Sequence, residues 1–131
     1  MDKKLVFLDI DGTLLPPGEM LIPETTLAAL NEAKAKGHRL FLCTGRNHRM
    51  TAPLLAHDCF SGAVCSAGGY VVCDGEVLVD LPMEPELAQG VRTALEKHGV
   101  ECTLEAKDAT FGGMQMIRRW NFTTRSDGSL N

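Results

Sequence analysis

At 131 residues, 44% hydrophobic and 23% charged, the chain has the size and composition of one globular domain, and no second full domain fits comfortably. A formal net charge of −4 with both signs interspersed leaves no basic stripe for nucleic acid and no polybasic patch for a membrane, so the expected partner is a small molecule or another protein. The opening MDKKLVFLDIDG is too short in apolar residues and too acidic for a signal peptide, and no run reaches the roughly 18 apolar residues of a membrane span, so a cytoplasmic location is expected.

In chain order, Leu5 to Leu8 is a short apolar run bounded by charge, which reads as a buried parallel strand. Gly12 to Gly18, with Pro16 and Pro17, reads as loop. Pro23 followed by Glu24, the stripe Leu27, Leu30 and Ala33, and Gly37 as a stop predict a helix from about Pro23 to Lys36. Arg39 to Cys43 is a second buried strand, followed by a helical pattern to about Ala56 that is expected to kink or restart at Pro53. Ala63 to Ser66 makes a third strand. Tyr70 to Cys73 and Glu76 to Val79, joined by Asp74-Gly75, predict a β-hairpin. Met83 to Gly99 is an amphipathic helix with the stripe Leu87, Val91, Ala94 and Leu95, and Val100 to Leu104 is a candidate strand. From Lys107 onward no period is sustained, and Met114, Met116 and Trp120 read as packing or tail residues. The five cysteines, Cys43, Cys59, Cys65, Cys73 and Cys102, are odd in number and lack a C-x-x-C pair, so free thiols are expected. The four histidines share no metal-ligand spacing.

The alternation of strand and helix predicts an α/β fold, a three-layer Rossmann-like parallel sheet with right-handed crossovers, followed by the hairpin. In such a sheet the functional crevice lies at the carboxyl ends of the strands. Three segments fall there: Asp9-Ile10-Asp11-Gly12-Thr13, Thr44-Gly45-Arg46 and Ser66-Ala67-Gly68-Gly69. Extended backbone would turn Asp9 and Asp11 to one side and Ile10 to the other. Two close carboxylates cannot both ionise freely, so a division into nucleophile and proton donor, or a bound cation, follows. Gly12 lets the chain turn its amides toward an anion, and Thr13 and Thr44 offer hydroxyls to it. Carboxylate oxygens beside a phosphate suit Mg2+, which takes one or two protein carboxylates and keeps several waters.

Through LVFLDIDGTLL and RLFLCTGR the sequence resembles the haloacid dehalogenase superfamily of phosphohydrolases, and within it the Cof-type branch, where an α/β cap follows the third core strand. The resemblance implies that Asp9 attacks phosphorus to form an aspartyl-phosphate, and that Asp11 protonates the leaving group and then activates water. It implies Mg2+ held by the Asp9 carboxylate and the Asp11 main-chain carbonyl. Phosphate would be bound by Thr44, by Gly12 and Thr13, by amides near Ile10 and Gly45, and by Arg46, which is alternatively a local cap or ion pair. The substrate implied is a small phosphorylated metabolite. Residues 1–82 would be the core portion, 83–106 the start of the cap and 107–131 a tail.

Three departures from the family pattern stand out. Ala67 and Gly68 replace the asparagine-glycine pair that often follows the third strand. The lysine that neutralises the phosphoryl group is missing, since neither Lys97 nor Lys107 has the required context. The later G-D-x-x-N-D segment is missing too, because Asp108 and Asp127 do not follow an apolar strand with glycine. The chain is expected to stop just inside the cap, and the strand carrying Asp9 to become an exposed edge through which copies could pair. A catalytically incomplete remnant acting in binding or assembly is the rival reading. Two further alternatives are weaker. Cys43 to Arg49, CTGRNHR, has the spacing of a cysteine-phosphatase loop but a misplaced glycine, and a phospho-receiver would need an aspartate where Ser66 stands.

Overall fold

The computed structural model describes residues 2–112 and 129–130, and the chain forms two compact units, Met1–Asp80 and Leu81–Asn131. Met114, Met116, Trp120 and Asp127 lie outside the described residues.

The first unit runs β1 (Leu5–Leu8), α1 (Glu24–Ala35), β2 (Arg39–Cys43), α2 (His48–Leu55), β3 (Phe60–Cys65), β4 (Tyr70–Cys73) and β5 (Glu76–Asp80). The sheet order is β1-β2-β3-β4-β5; β1, β2 and β3 are parallel, and β4 and β5 are antiparallel additions. Two right-handed crossovers stepping in the same direction put both helices on one face of the sheet. The core reflects this: Leu30 of α1 and Leu54 of α2 cluster with Leu40, Leu42, Ala63 and Cys65, with Ile10, Leu14 and Leu15 closing one end. The opposite face carries Leu5 and Phe7, 62% and 54% exposed, and Cys43, also exposed. Phe41 on that face is buried by its neighbours: Phe7 stacks on it at 5.2 Å between ring centroids, and the Arg39 guanidinium lies 5.3 Å from its ring centre. The α/β class expected from the alternation is thus observed, with a sheet and one helical layer among the described residues of this unit.

The local differences have physical causes. β3 begins at Phe60, three residues before the expected Ala63, because Ser61 and Gly62 are absorbed into the sheet. A bulge between β2 and β3 passes over Ser61, and Gly62 meets β4 so closely that a Cβ there would lie 2.2 Å from the Val72 carbonyl oxygen. α2 runs through Pro53 without restarting; Pro53 is exposed and forgoes one backbone bond two residues before the helix ends. Asp74 and Gly75 take φ of 49° and 81°, the paired left-handed conformation of a tight hairpin turn.

In the second unit, α3 (Pro85–Lys97) starts on a proline at its first turn, and Gly99 follows its end with φ of 67°. β6 (Thr103–Glu105), β7 (Thr110–Gly112) and β8 (Ser129–Leu130) form an antiparallel sheet in that order. The expected strand Val100–Leu104 is therefore shifted to Thr103–Glu105, and the stretch read as lacking period contributes β7 and β8. No described helix is long and apolar enough to cross a membrane.

Candidate functional site

Because β1, β2 and β3 run parallel, the segments after Leu8, Cys43 and Cys65 all emerge at one edge of the sheet. After β1 the chain turns tightly. The Ile10 carbonyl accepts from the amides of Thr13, Leu14 and Leu15, and the Gly12 amide donates to the Leu15 carbonyl at 2.9 Å. Gly12 takes φ of 80°, which an L side chain adopts only at a cost. Ile10, Leu14 and Leu15 are buried, and this anchors the turn in the core while leaving Asp9, Asp11 and Thr13 exposed. Asp9 and Asp11 flank a buried Ile10, but through this turn, since the extended backbone of β1 ends at Leu8.

The two carboxylates have different partners. The Thr13 hydroxyl donates to Asp9 Oδ2 at 3.3 Å, whereas Asp11 accepts from Arg46 twice, from Nε to Oδ2 at 2.9 Å and from Nη2 to Oδ1 at 2.6 Å. The Arg46 hydrogen bonds and charge hold the Asp11 carboxyl below the usual aspartate range, against a partial desolvation that acts the other way. Of the two readings of Arg46, the ion pair is what the described contacts show.

Arg46 is held by its backbone. Its amide donates to Thr44 Oγ1 at 3.1 Å, and its carbonyl accepts from the Ser66 amide at 2.8 Å. Thr44 is buried, its amide donating to the Val64 carbonyl and its carbonyl accepting from the Ala67 amide. The loops after β2 and β3 are thereby zipped together, and Thr44 keeps a hydroxyl proton to donate. Gly45 is exposed with open space around its α carbon. Ser66, Ala67 and Gly68 take φ of 50°, 52° and 100°, a left-handed run in which two residues are not glycine.

Sequence reasoning missed Asn47. Asn47 caps α2: its side chain accepts from the Met50 amide at 2.9 Å, and its carbonyl accepts from the Thr51 hydroxyl at 2.9 Å. The signal was available, since asparagine is among the best N-cap residues and stands just before the helical pattern. His48 follows, its ring 5.0 Å from that of Tyr70.

For Mg2+, the fit rests on two protein oxygens. Asp9 is exposed and only one of its oxygens is engaged by Thr13, while the turn uses the Gly12 amide and the Ile10 carbonyl and leaves the Asp11 carbonyl out. One carboxylate and one carbonyl match the sparse protein ligation Mg2+ accepts. Among the described residues no group of three or more His, Cys, Asp or Glu side chains gathers into a larger site. The lysines of the first unit lie at the other end of the strands: Lys3 and Lys4 precede β1, and Lys34 and Lys36 precede β2. There Lys34 donates to the Asp58 carbonyl and Lys36 pairs with Glu32.

Comparison with known proteins places this geometry. The chain is 34% identical over 88 residues to a putative phosphatase, YkrA, of Bacillus subtilis, a match covering 67% of this chain and 34% of that protein. It is 38% identical over 74 residues to the pyridoxal phosphate phosphatase YbhA of Escherichia coli, covering 54% of this chain and 26% of that one. Among solved structures, a hypothetical protein of Geobacillus kaustophilus superposes with a TM-score of 0.78 at 26% identity, over 93% of this chain and 50% of that one. A subclass IIB sugar phosphatase, BT4131, superposes with 0.73 at 28% identity, over 90% and 47%. The chain thus spans about half the length of the structures it matches. The sequence model of the haloacid dehalogenase-like hydrolases covers residues 6–127, nearly the whole chain, and together with the LVFLDIDGTLL turn at the sheet edge it makes this protein a member of that family.

Proposed function

We propose that this chain carries the nucleophile and phosphate-binding segment of a Mg2+-dependent phosphohydrolase that acts on a small phosphorylated metabolite. The observation that carries the reading is the meeting of the Asp9, Thr44 and Ser66 loops at one edge of a parallel sheet in a member of this hydrolase family. In the proposed reaction an Asp9 carboxylate oxygen attacks phosphorus, the bond from phosphorus to the leaving oxygen breaks, and Asp11, once it has left its Arg46 pair and taken up a proton from solvent, gives that proton to the leaving oxygen. Water then attacks the aspartyl-phosphate, its proton passing to Asp11, and phosphate leaves with Asp9 restored. The Thr44 hydroxyl and the amides at Ile10 and Gly45 would bind the phosphoryl oxygens, with Gly12 giving the turn and Thr13 steadying Asp9. Mg2+, held by the Asp9 carboxylate and the Asp11 carbonyl, would supply charge neutralisation of the phosphoryl oxygens.

The substrate class is supported by the pyridoxal phosphate phosphatase and sugar phosphatase relatives. We read residues 1–82 as the core portion, 83–106 as the start of a cap and 107–131 as a tail. Five free thiols suit the cytoplasm as the compartment. The exposed outer edge of β1 suits pairing with a second copy. One observation favours a non-catalytic binding role instead: the lysines of the first unit stand at the far ends of the strands.

The test is hydrolysis of an aryl phosphate with and without Mg2+, beside Asp9→Asn. Turnover abolished by a chelator and by the substitution supports the enzyme, whereas rates equal to those of Asp9→Asn leave the binding role.

A further inference from the structure

We propose that Arg46 is an exchangeable anion clamp: its guanidinium holds Asp11 while the site is empty and transfers to the phosphoryl group of the ligand when one binds. The inference rests on the phosphate-site reading above and adds to it a competition within the site. The guanidinium presents Nε and Nη2 to the two oxygens of Asp11. The same planar fork matches two oxygens of a phosphate as well as those of a carboxylate, so one ligand can replace the other without a change of donor geometry.

Three further features make Arg46 the group suited to this. Its backbone is fixed on both sides, by Thr44 Oγ1 and by the Ser66 amide, so the side chain pivots from a constant root. Its side chain is 19% exposed while that of Asp11 is 64% exposed, so the anion sits on the solvent side of the clamp, where an incoming phosphate arrives. Among the described residues of the first unit the lysines lie at the opposite end of the strands, whereas Arg46 stands beside the DID turn. In this exchange no covalent bond changes; one pair of N–H···O contacts is given up and another made, and Asp11 is released to turn toward the leaving oxygen.

The experiment is a double-mutant cycle on the affinity for inorganic phosphate at fixed Mg2+, by calorimetry, with wild type, Asp11→Asn, Arg46→Met and the double variant. Circular dichroism checks that each is folded. Asp11→Asn is expected to tighten phosphate binding about tenfold when Arg46 is present and by less than about threefold when it is Met, a coupling within the range of groups in direct contact. An equal gain in both backgrounds means plain charge removal and overturns the clamp while leaving the phosphate site intact. Absence of phosphate binding in the wild type overturns the clamp and the phosphate-site reading together. Should Arg46→Met not fold, the Arg46 Nε–H resonance of the wild type, assigned by its loss in Arg46→Lys, serves instead. It is expected to move as phosphate is added, and an unmoved signal at saturation overturns the exchange.

Discussion

Arg46 and Asp11, 35 positions apart in sequence, meet in a two-point ion pair with contacts of 2.9 and 2.6 Å, and this separates the fates of the two carboxylates of the DID turn. Among the described residues Asp9 has the Thr13 hydroxyl as its hydrogen-bond partner, and it is exposed. Asp11 has a cation of its own. The like-charge problem posed by two neighbouring aspartates is met here by an arginine from the next loop as well as by any metal.

That pair makes stability depend on pH in a defined direction. The folded Asp11 carboxyl titrates below its reference value of 3.8, so its contribution is complete above that value and is lost as pH falls through the lowered folded value. Asp11 stands on the solvent side of the pair, so water screens it and its contribution at neutral pH is expected to be about 0.2–1 kcal/mol. Urea unfolding of wild type and Arg46→Met should show that difference at neutral pH and its disappearance in strong acid. A difference that grows on acidification would contradict the assignment.

Gly62 is predicted to tolerate no side chain. A Cβ would lie 2.2 Å from the Val72 carbonyl oxygen and 2.9 Å from the Cys73 α carbon, both backbone atoms that cannot swing away. Gly62→Ala should therefore lower stability by about 1–3 kcal/mol, the range for overpacking. Denaturant midpoints would show it, and a neutral substitution would mean that β3 and β4 can separate at little cost.

Asn47 caps the helix that follows the Thr44 loop, and it is fully buried. Asn47→Ala is expected to cost about 0.5–2 kcal/mol. Asn47→Asp keeps the acceptor for the Met50 amide but loses the amide NH2 and buries a charge, so it should recover only part of the loss. Denaturant midpoints of the two variants would show it, and a neutral Asn47→Ala would count against the cap.

β1 is the edge strand of its sheet and carries Leu5 and Phe7 on the open face, and it is expected to support pairing with a second copy. Light scattering of the wild type at high concentration should report a species larger than a monomer, and Phe7→Lys should reduce it. A wild type that stays monomeric at high concentration counts against assembly through this edge.

Much of the fold was legible because short-range chemistry decided it. The strands at Leu5–Leu8 and Arg39–Cys43, the helix expected over Pro23–Lys36 and found over Glu24–Ala35, and the Asp74-Gly75 turn follow from local pattern, since periodicity and turn residues act within a few positions; the burial expected for Leu5–Leu8 does not, because Leu5 and Phe7 lie on the open face of an edge strand. The DID turn and the family were legible for the same reason: residues 9–13 are contiguous, and their types and order are read directly. Tertiary structure decided what depends on distant partners. Ser61 and Gly62 became strand because β4 closes on them, and Arg46 was directed to Asp11 by the loops zipped together after β2 and β3. A guanidinium finds whichever carboxylate the fold brings within reach, and the sequence by itself carries no distance between positions 11 and 46.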